Sequence, residues 1–251
     1  MTSDSDKEGI KASAARFDAE LHTEDYRRVH ADEVQLRRLL ELLQPEPKQV
    51  PLDLGTGNGY VAKAIVAKEP TSLVIGLDVA GDAIRRNVED AERQWLRNIR
   101  FGTYDGVTIP YDDDHFDAII CRYAFHHLPR YETTLSELAR AIRHGGRFVL
   151  SDPIREDGDT CDFINRFQEL RHDGHVRMFR MSELVELFAR YHYELMDSFE
   201  STISFSREHS EEYDALMDST PGSVKKLYNV VVGEKDISVS FRVLDAVFVN
   251  G

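Results

Sequence analysis

Cysteine is nearly absent from this 251-residue chain, with Cys121 and Cys161 as its only thiols. Two thiols cannot build a disulfide framework, and these two lack the paired spacing of a zinc site, so a reducing, cytoplasmic setting is expected. No stretch approaches the ~20 consecutive apolar residues of a membrane span. Residues 1–11 are polar, with no apolar signal core. Basic residues are also in short supply: 31 Lys and Arg stand against 45 Asp and Glu, a formal charge of −14. A nucleic-acid partner needs clustered cations, and this balance argues against one. Repeats and low-complexity tracts are missing too. What is plentiful is apolar side chain, 41% of the residues, which supports a real core and excludes a wholly disordered chain. The length suits one large domain, or one with appendages.

After a Pro-Glu-Pro turn at 45–47, short apolar runs alternate with helical patterns. Residues 49–54, 72–78, 98–103, 116–122 and 147–152 read as strands, each bounded by Gly, Asp or Pro. Pro51 is tolerated at a strand's start. Leu36, Leu39, Leu40 and Leu43 share one helical face, as do Ile84, Val88, Ala91 and Trp95. Thr134 with Glu137 reads as a capping box. Strand, helix, strand repeated four times predicts an α/β fold. It is doubly wound, with a mostly parallel seven-stranded sheet. Its ligand belongs outside the carboxyl ends of the strands, at the loops after residues 54, 78, 103, 122 and 152. In the last third, 163–170 and 182–190 read as helices and 193–199 and 237–248 as strands. The two strands are expected to close one sheet edge as an antiparallel hairpin. Residues 1–8 are expected to fray. Residues 1–30 read as a helical lid on a domain of 31–251, with insertions around 155–180 and 206–232 covering the substrate.

The sharpest signal is Asp53-Leu54-Gly55-Thr56-Gly57-Asn58-Gly59-Tyr60, where the first strand gives way to a helix. Three glycines at alternate positions permit a tight turn and a close approach to the backbone, and the helix N-terminus is expected to add unpaired N–H groups. Twenty-five residues after Asp53, Asp78 ends the second strand, where a carboxylate can accept from both hydroxyls of a ribose. Gly57 to Ala62 also satisfies the dinucleotide fingerprint G-x-G-x-x-[GA], so an NAD-dependent oxidoreductase stays open. That register leaves Asp53 and Gly55 without a role.

Asp53-Leu54-Gly55-Thr56-Gly57-Asn58-Gly59 resembles the acidic-x-Gly-x-Gly-x-Gly signature of class I S-adenosylmethionine (SAM) dependent methyltransferases. Ile109 to Asp117, Cys121 to Leu128 and Leu138 to Arg147 agree in order and spacing with the branch that holds the ubiquinone and menaquinone biosynthesis methyltransferases. The likeness covers about residues 35–152. It implies SAM as cofactor, with S-adenosylhomocysteine (SAH) as product. It implies that Asp53 and the backbone of Gly55, Thr56, Gly57 and Gly59 hold the methionine end, Asp78 the ribose and Val79 an adenine face. Tyr104, Asp105 and Gly106 become the adenine-edge loop, with Asp105 accepting from the exocyclic amine. The Arg122 backbone lies near the amino group, and Tyr26 and His30 belong to a lid over the cofactor.

Methyl transfer from a sulfonium is an in-line displacement that asks mainly for alignment and exclusion of water, with no metal. A base is needed only for a protonated acceptor, and His126 and His127, on the loop after the fourth strand, are the catalytic candidates. Tyr123, Asp152, Arg171 and His175 are candidates to contact a small-molecule acceptor, Arg171 through its bidentate fork. A homodimer is left open. So is a SAM-fold protein that transfers no methyl, either a binding module or a repurposed cyclase.

Overall fold

The computed structural model describes residues 4–21, 23–24 and 30–251. The first helix, α1 (Asp4–Glu20), precedes α2 (Glu33–Leu43). Helix α2 starts cleanly because Asp32 accepts from the N–H groups of Val34 and Gln35, each at 2.9 Å, a cap worth ~1 kcal/mol. Then come β1 (Pro51–Leu54), α3 (Tyr60–Lys68), β2 (Val74–Asp78), α4 (Gly81–Arg93), β3 (Ile99–Thr103) and β4 (Phe116–Arg122). A 3-10 turn at Phe125–His127 leads to α5 (Tyr131–Ala141), β5 (Ile142–Pro153), α6 (Phe163–Glu169) and α7 (Met181–Ala189). The chain continues through β6 (Tyr193–Glu208), α8 (Glu211–Ser219), α9 (Gly222–Leu227), β7 (Val231–Val232) and β8 (Asp236–Asn250).

One sheet runs in the order β3-β2-β1-β4-β5-β8-β6, with β7 on the side of β8. Strands β1 to β5 are parallel, and β8 pairs antiparallel with both β5 and β6. The inner strands β1, β2 and β4 are apolar on both faces because both faces are covered. Ile119 of β4 lies in a core shared with Leu135 and Leu138 of α5 and Phe188 of α7. Its neighbours Ala118 and Ile120 point the other way, into Leu36 and Leu39 of α2 and Val61 and Ile65 of α3. A third core forms where α6, α8 and α9 pack on the projecting ends of β6 and β8, around Phe163, Phe167, Tyr213, Tyr228, Val239 and Phe241. Helix α6 falls within 155–180, and α8 and α9 fall within 206–232.

Several expectations need correcting. No helix joins β3 to β4; residues 104–115 cross as a loop. The C-terminal strands β6 and β8 do close the edge as an antiparallel pair, but their connection is long, through α8, α9 and β7, and the later strand, β8, lies inside while β6 takes the edge. The two-residue β7 is an eighth strand. Thr134 lies inside α5, whose N-cap is Arg130, so no capping box forms there. Glu137 instead accepts from Ile109 N (3.3 Å) and pairs with Arg140 (2.9 Å). Trp95 falls beyond the end of α4 at φ 57° and is 77% exposed, and Val88 is 38% exposed, so only Ile84 and Ala91 of that quartet are buried. Helix order begins at Asp4, within the stretch expected to fray. No described helix is long and apolar enough to cross a membrane.

Candidate active site

Between β1 and α3 the chain turns through Gly55, Thr56, Gly57, Asn58 and Gly59. The three glycines have φ of 69°, 54° and 74°, left-handed angles that cost a residue bearing a Cβ roughly 1–2 kcal/mol. Gly55 is the tightest, since a Cβ there would lie 2.3 Å from the Ala124 Cβ. The backbone seals the turn: Leu77 O accepts from Gly55 N (2.8 Å) and Thr56 N (3.0 Å), and Thr56 O from Gly59 N (2.8 Å). Gly57 N donates to Asp78 (2.8 Å), Tyr60 N to Asn58 (3.2 Å) and Ala62 N to Asp53 (3.0 Å). Most N–H groups of the turn are thereby taken, and among the described residues those of Asn58 and Val61 keep no acceptor, as expected of a helix N-terminus. The turn offers a ligand a wall without Cβ, flanked by two carboxylates.

Those carboxylates are both buried. Asp53 accepts from the Thr56 hydroxyl (2.7 Å) as well as from Ala62 N. Burial nevertheless pushes its carboxyl up to about 6. Asp78 accepts from Ala80 N (2.9 Å) and Gly57 N, and burial raises it too.

Two hollows open on either side of the turn. One, of about 600 Å³ counted to its mouth, is lined by Gly55, Gly57, Asp78, Val79, Tyr104, Gly106 and His127, a size within the usual range for small-molecule sites. The other, about 510 Å³, reaches Asp53, Thr56, Asn58, Tyr60 and His30. Arg122 and Tyr123 border both. Helix α1 roofs the first hollow with Ile10, Ser13 and Phe17, and Leu21 follows just beyond it. The roof is pinned at several points. Asp18 accepts from Ala83 N in the first turn of α4 (2.9 Å), Asn58 donates to Leu21 O (3.2 Å), and Glu20 pairs with Arg171.

Arg122 donates to Gln35 through Nε (3.0 Å) and Nη2 (2.8 Å) and to His30 O (2.8 Å), so its side chain braces the floor. Gln35 in turn donates to Tyr123 Oη (3.0 Å) and to Asp245 (3.1 Å), which also takes hydrogen bonds from Ser151 (2.6 Å) and Ser201 (2.5 Å). Through this buried network β8 supports Tyr123, held at a φ of 56°.

A third recess adjoins the first across Tyr123, His127 and Phe17, with His126, Gln168, Arg171, His175, Ile203 and Phe205 also on its walls. His126 Nδ1 lies 3.0 and 3.1 Å from the two carboxylate oxygens of Asp152, and His126 N donates to Asp152 Oδ2 (3.1 Å). The His127 ring meets His126 at 4.2 Å and Phe17 at 5.1 Å between centroids. Burial, helped by His126 and His175, drives its imidazole well below the usual range. His175 hydrogen-bonds Asn165 through Nε2 (3.0 Å), and burial lowers it to about 3. Both rings are neutral near pH 7. Among the described residues no group of His, Cys, Asp or Glu is arranged to hold a metal.

The sequence candidates thus gather at one end of the sheet, with exceptions. Asp152 does not face the mouth; it is 2% exposed and spent on His126. Arg171 is no free anion clamp, because Glu20 and Asp173 (3.1 Å) already pair with it. Asp105 lines none of the three recesses, since its Oδ1 closes its own loop by accepting from Val107 N (2.9 Å) and Thr108 N (2.6 Å). Tyr26 lies outside the described residues. Sequence reasoning missed Ile10, Ser13 and Phe17, although with Leu21 they form a thin stripe at i, i+3, i+7 and i+11. It also missed Gln35, the polar residue on the otherwise apolar buried face of α2.

A family model described as a methyltransferase domain matches residues 24–198. The chain is 29% identical over 172 residues to the uncharacterized methyltransferase YcgJ of Bacillus subtilis, covering 68% of this chain and 66% of that protein. It is 35% identical over 115 residues to the demethylmenaquinone methyltransferase of Thermus thermophilus, covering 45% of this chain and 51% of that protein. The chain therefore spans between half and two thirds of the length of these curated relatives. The crystal structure of the YcgJ protein superposes with a TM-score of 0.75 at 21% identity, covering 87% of this chain and 99% of that one, so the fold is shared.

Proposed function

The chain belongs to the methyltransferase-domain family, and from that premise we propose that it transfers a methyl group from SAM to an O, N or C atom of a small-molecule acceptor. One observation carries the reading: a turn that cannot accommodate a Cβ lies between two hollows, with a buried carboxylate on each side. In this reading SAM supplies an electrophilic methyl, and the chain's own residues bind, orient and keep water out. Asp78 receives the ribose hydroxyls and Val79, Tyr104 and Gly106 flank the adenine, while Asp53 faces the methionine ammonium. The Gly55–Gly59 turn contributes a close-fitting wall, with the N–H groups of Asn58 and Val61 left to donate. Alignment of this kind removes roughly 7–11 kcal/mol of barrier without a metal. Residues 1–30 form the lid, and the acidic chain works in the cytoplasm on small molecules rather than nucleic acid. The resemblance to quinone-pathway methyltransferases supports the choice of SAM over NAD, because the NAD register leaves Asp53 and Gly55 idle.

The test is calorimetric titration with SAM, SAH and NAD in parallel. Binding of the two sulfur compounds and not NAD is expected; binding of NAD alone overturns the reading.

The Asp53 assignment predicts a pH dependence. Below about 6 its carboxyl is protonated and has no charge to offer an ammonium; above it the carboxylate is complete. SAH affinity is therefore expected to rise as pH increases through 6 and then level off, with the step gone in Asp53→Asn. An unchanged step in that variant removes Asp53 from the role.

The lid assignment predicts a kinetic effect. Glu20→Gln loses the pair with Arg171, whose side chains are only 25% and 16% exposed, and a pair near the surface is worth up to ~1 kcal/mol, so stopped-flow SAH dissociation should quicken by about five-fold. An unaltered rate takes α1 off the release path.

A further inference from the structure

The third recess has a chemistry that methyl transfer in general does not require. Four of its buried polar atoms have no partner: the donor Arg171 Nε, and the acceptors Gln168 Oε1, His175 Nδ1 and His127 Nδ1, the last because the His127 ring spends its hydrogen on the Gly174 backbone. The two imidazoles stay neutral because burial drives both rings down, His175 to about 3. Since His175 Nε2 is within 3.0 Å of Asn165 Oδ1, which also accepts from Met178 N (2.6 Å), Nε2 carries the ring hydrogen and Nδ1 is the acceptor. Buried acceptors left without donors cost about 1–3 kcal/mol each, and a ligand that donates to them recovers that energy. The walls between are flat and apolar, made by Phe17, Tyr123, Ile203 and Phe205. The complement of such a surface is a flat conjugated body that carries hydroxyl groups.

His126 gives the reason for a hydroxyl. A carboxylate only accepts hydrogen bonds, so the Asp152 oxygens at 3.0 and 3.1 Å hold the hydrogen of His126 on Nδ1. The lone pair is left on Nε2. This is the arrangement in which a fixed tautomer makes an imidazole a directed base.

Resting on the methyltransferase reading, we propose that the third recess binds a phenolic or enolic acceptor, that His126 Nε2 takes its proton, and that Asp152 is the positioning residue that fixes the tautomer. The balance is complete. The acceptor oxygen, or the carbon conjugate to it, forms a bond to the methyl, and the carbon–sulfur bond of SAM breaks with its electron pair passing to sulfur. The hydroxyl proton moves to His126 Nε2, and the imidazolium faces the Asp152 carboxylate until solvent takes the proton.

The test reads the histidine rings directly, by long-range ¹⁵N–¹H NMR on the full chain, with His126→Gln assigning the signals. The wild type is expected to show His126 protonated at Nδ1 and bare at Nε2. Millimolar 4-nitrophenol and acetylacetone, a phenol and an enol, should shift the Nε2 signal, and benzylamine should not. Asp152→Asn should move the ring hydrogen to Nε2 and abolish the response, while SAH affinity stays within about two-fold of wild type. An Nε2–H tautomer in the wild type, no Nε2 response to either hydroxyl probe, or an equal response to the amine each overturns the proposal. The wild-type measurement stands even if the Asp152 variant does not fold. Failure of SAH to bind the wild type sinks methyl transfer instead, and the ring measurement, made on cofactor-free protein, still decides the hydroxyl site.

Discussion

Asp78→Ala is expected to weaken SAH binding by at least about 100-fold, because in the proposed reading this buried carboxylate accepts from two ribose hydroxyls, two charge-assisted hydrogen bonds worth roughly 1.5–3 kcal/mol each. The loss is compounded within the protein. Gly57 N and Ala80 N both donate to this side chain, and removing their acceptor strands two N–H groups and loosens the glycine turn. Asp78→Asn keeps one oxygen for those donors and should lose only about ten-fold, the share that charge contributes. Calorimetry on the two variants separates the effects. Wild-type affinity in Asp78→Ala means the ribose lies elsewhere and the placement of every cofactor residue is wrong.

Gly55→Ala should have the largest effect on stability. The new methyl would lie 2.3 Å from the Ala124 Cβ at a φ of 69°. The left-handed angle costs roughly 1–2 kcal/mol and the overpacking about 1–3 kcal/mol. A combined loss near 3 kcal/mol corresponds to a fall in Tm of roughly 6–12 °C for a domain of this size. SAH binding should fall with it, since the turn that forms the shared wall must shift. Ala124→Gly removes the atom that the new methyl meets. The double variant should therefore recover the packing share of the loss and keep the backbone share. A Tm for Gly55→Ala within a degree or two of wild type would show that the 3-10 turn carrying Ala124 yields easily, and with it the adjoining His126 and His127.

What the sequence made legible is what depends on neighbours along the chain. Strand β4 was read at its observed limits because an apolar run bounded by Asp and Arg is a local pattern. The glycine turn and Asp78 were read for the same reason, each lying where a parallel strand ends. The roles of Asp152 and Arg171 were not legible. Asp152 meets His126 across 26 positions and Arg171 meets Glu20 across 151, and no periodicity carries such a pairing. The sealing of the turn was also hidden: glycine spacing announces a close approach but not that Leu77 O consumes two of its N–H groups. The stripe on α1 was faint because charged residues outnumber apolar ones there. The order of β6 and β8 is a matter of tertiary pairing, to which alternation within either strand is indifferent.

That order has a bearing on how the molecule is made. Strand β8 emerges from the ribosome after β6, yet it occupies the place between β6 and β5. While residues 193–232 are being synthesised, β5 presents a long apolar edge, with its backbone donors and acceptors unpaired, and the Asp245 that will anchor Gln35, Ser151 and Ser201 does not yet exist. A nascent chain in that state can recruit β6 into the wrong slot or pair with another molecule. Only translation through residue 250 supplies the strand that ends the exposure.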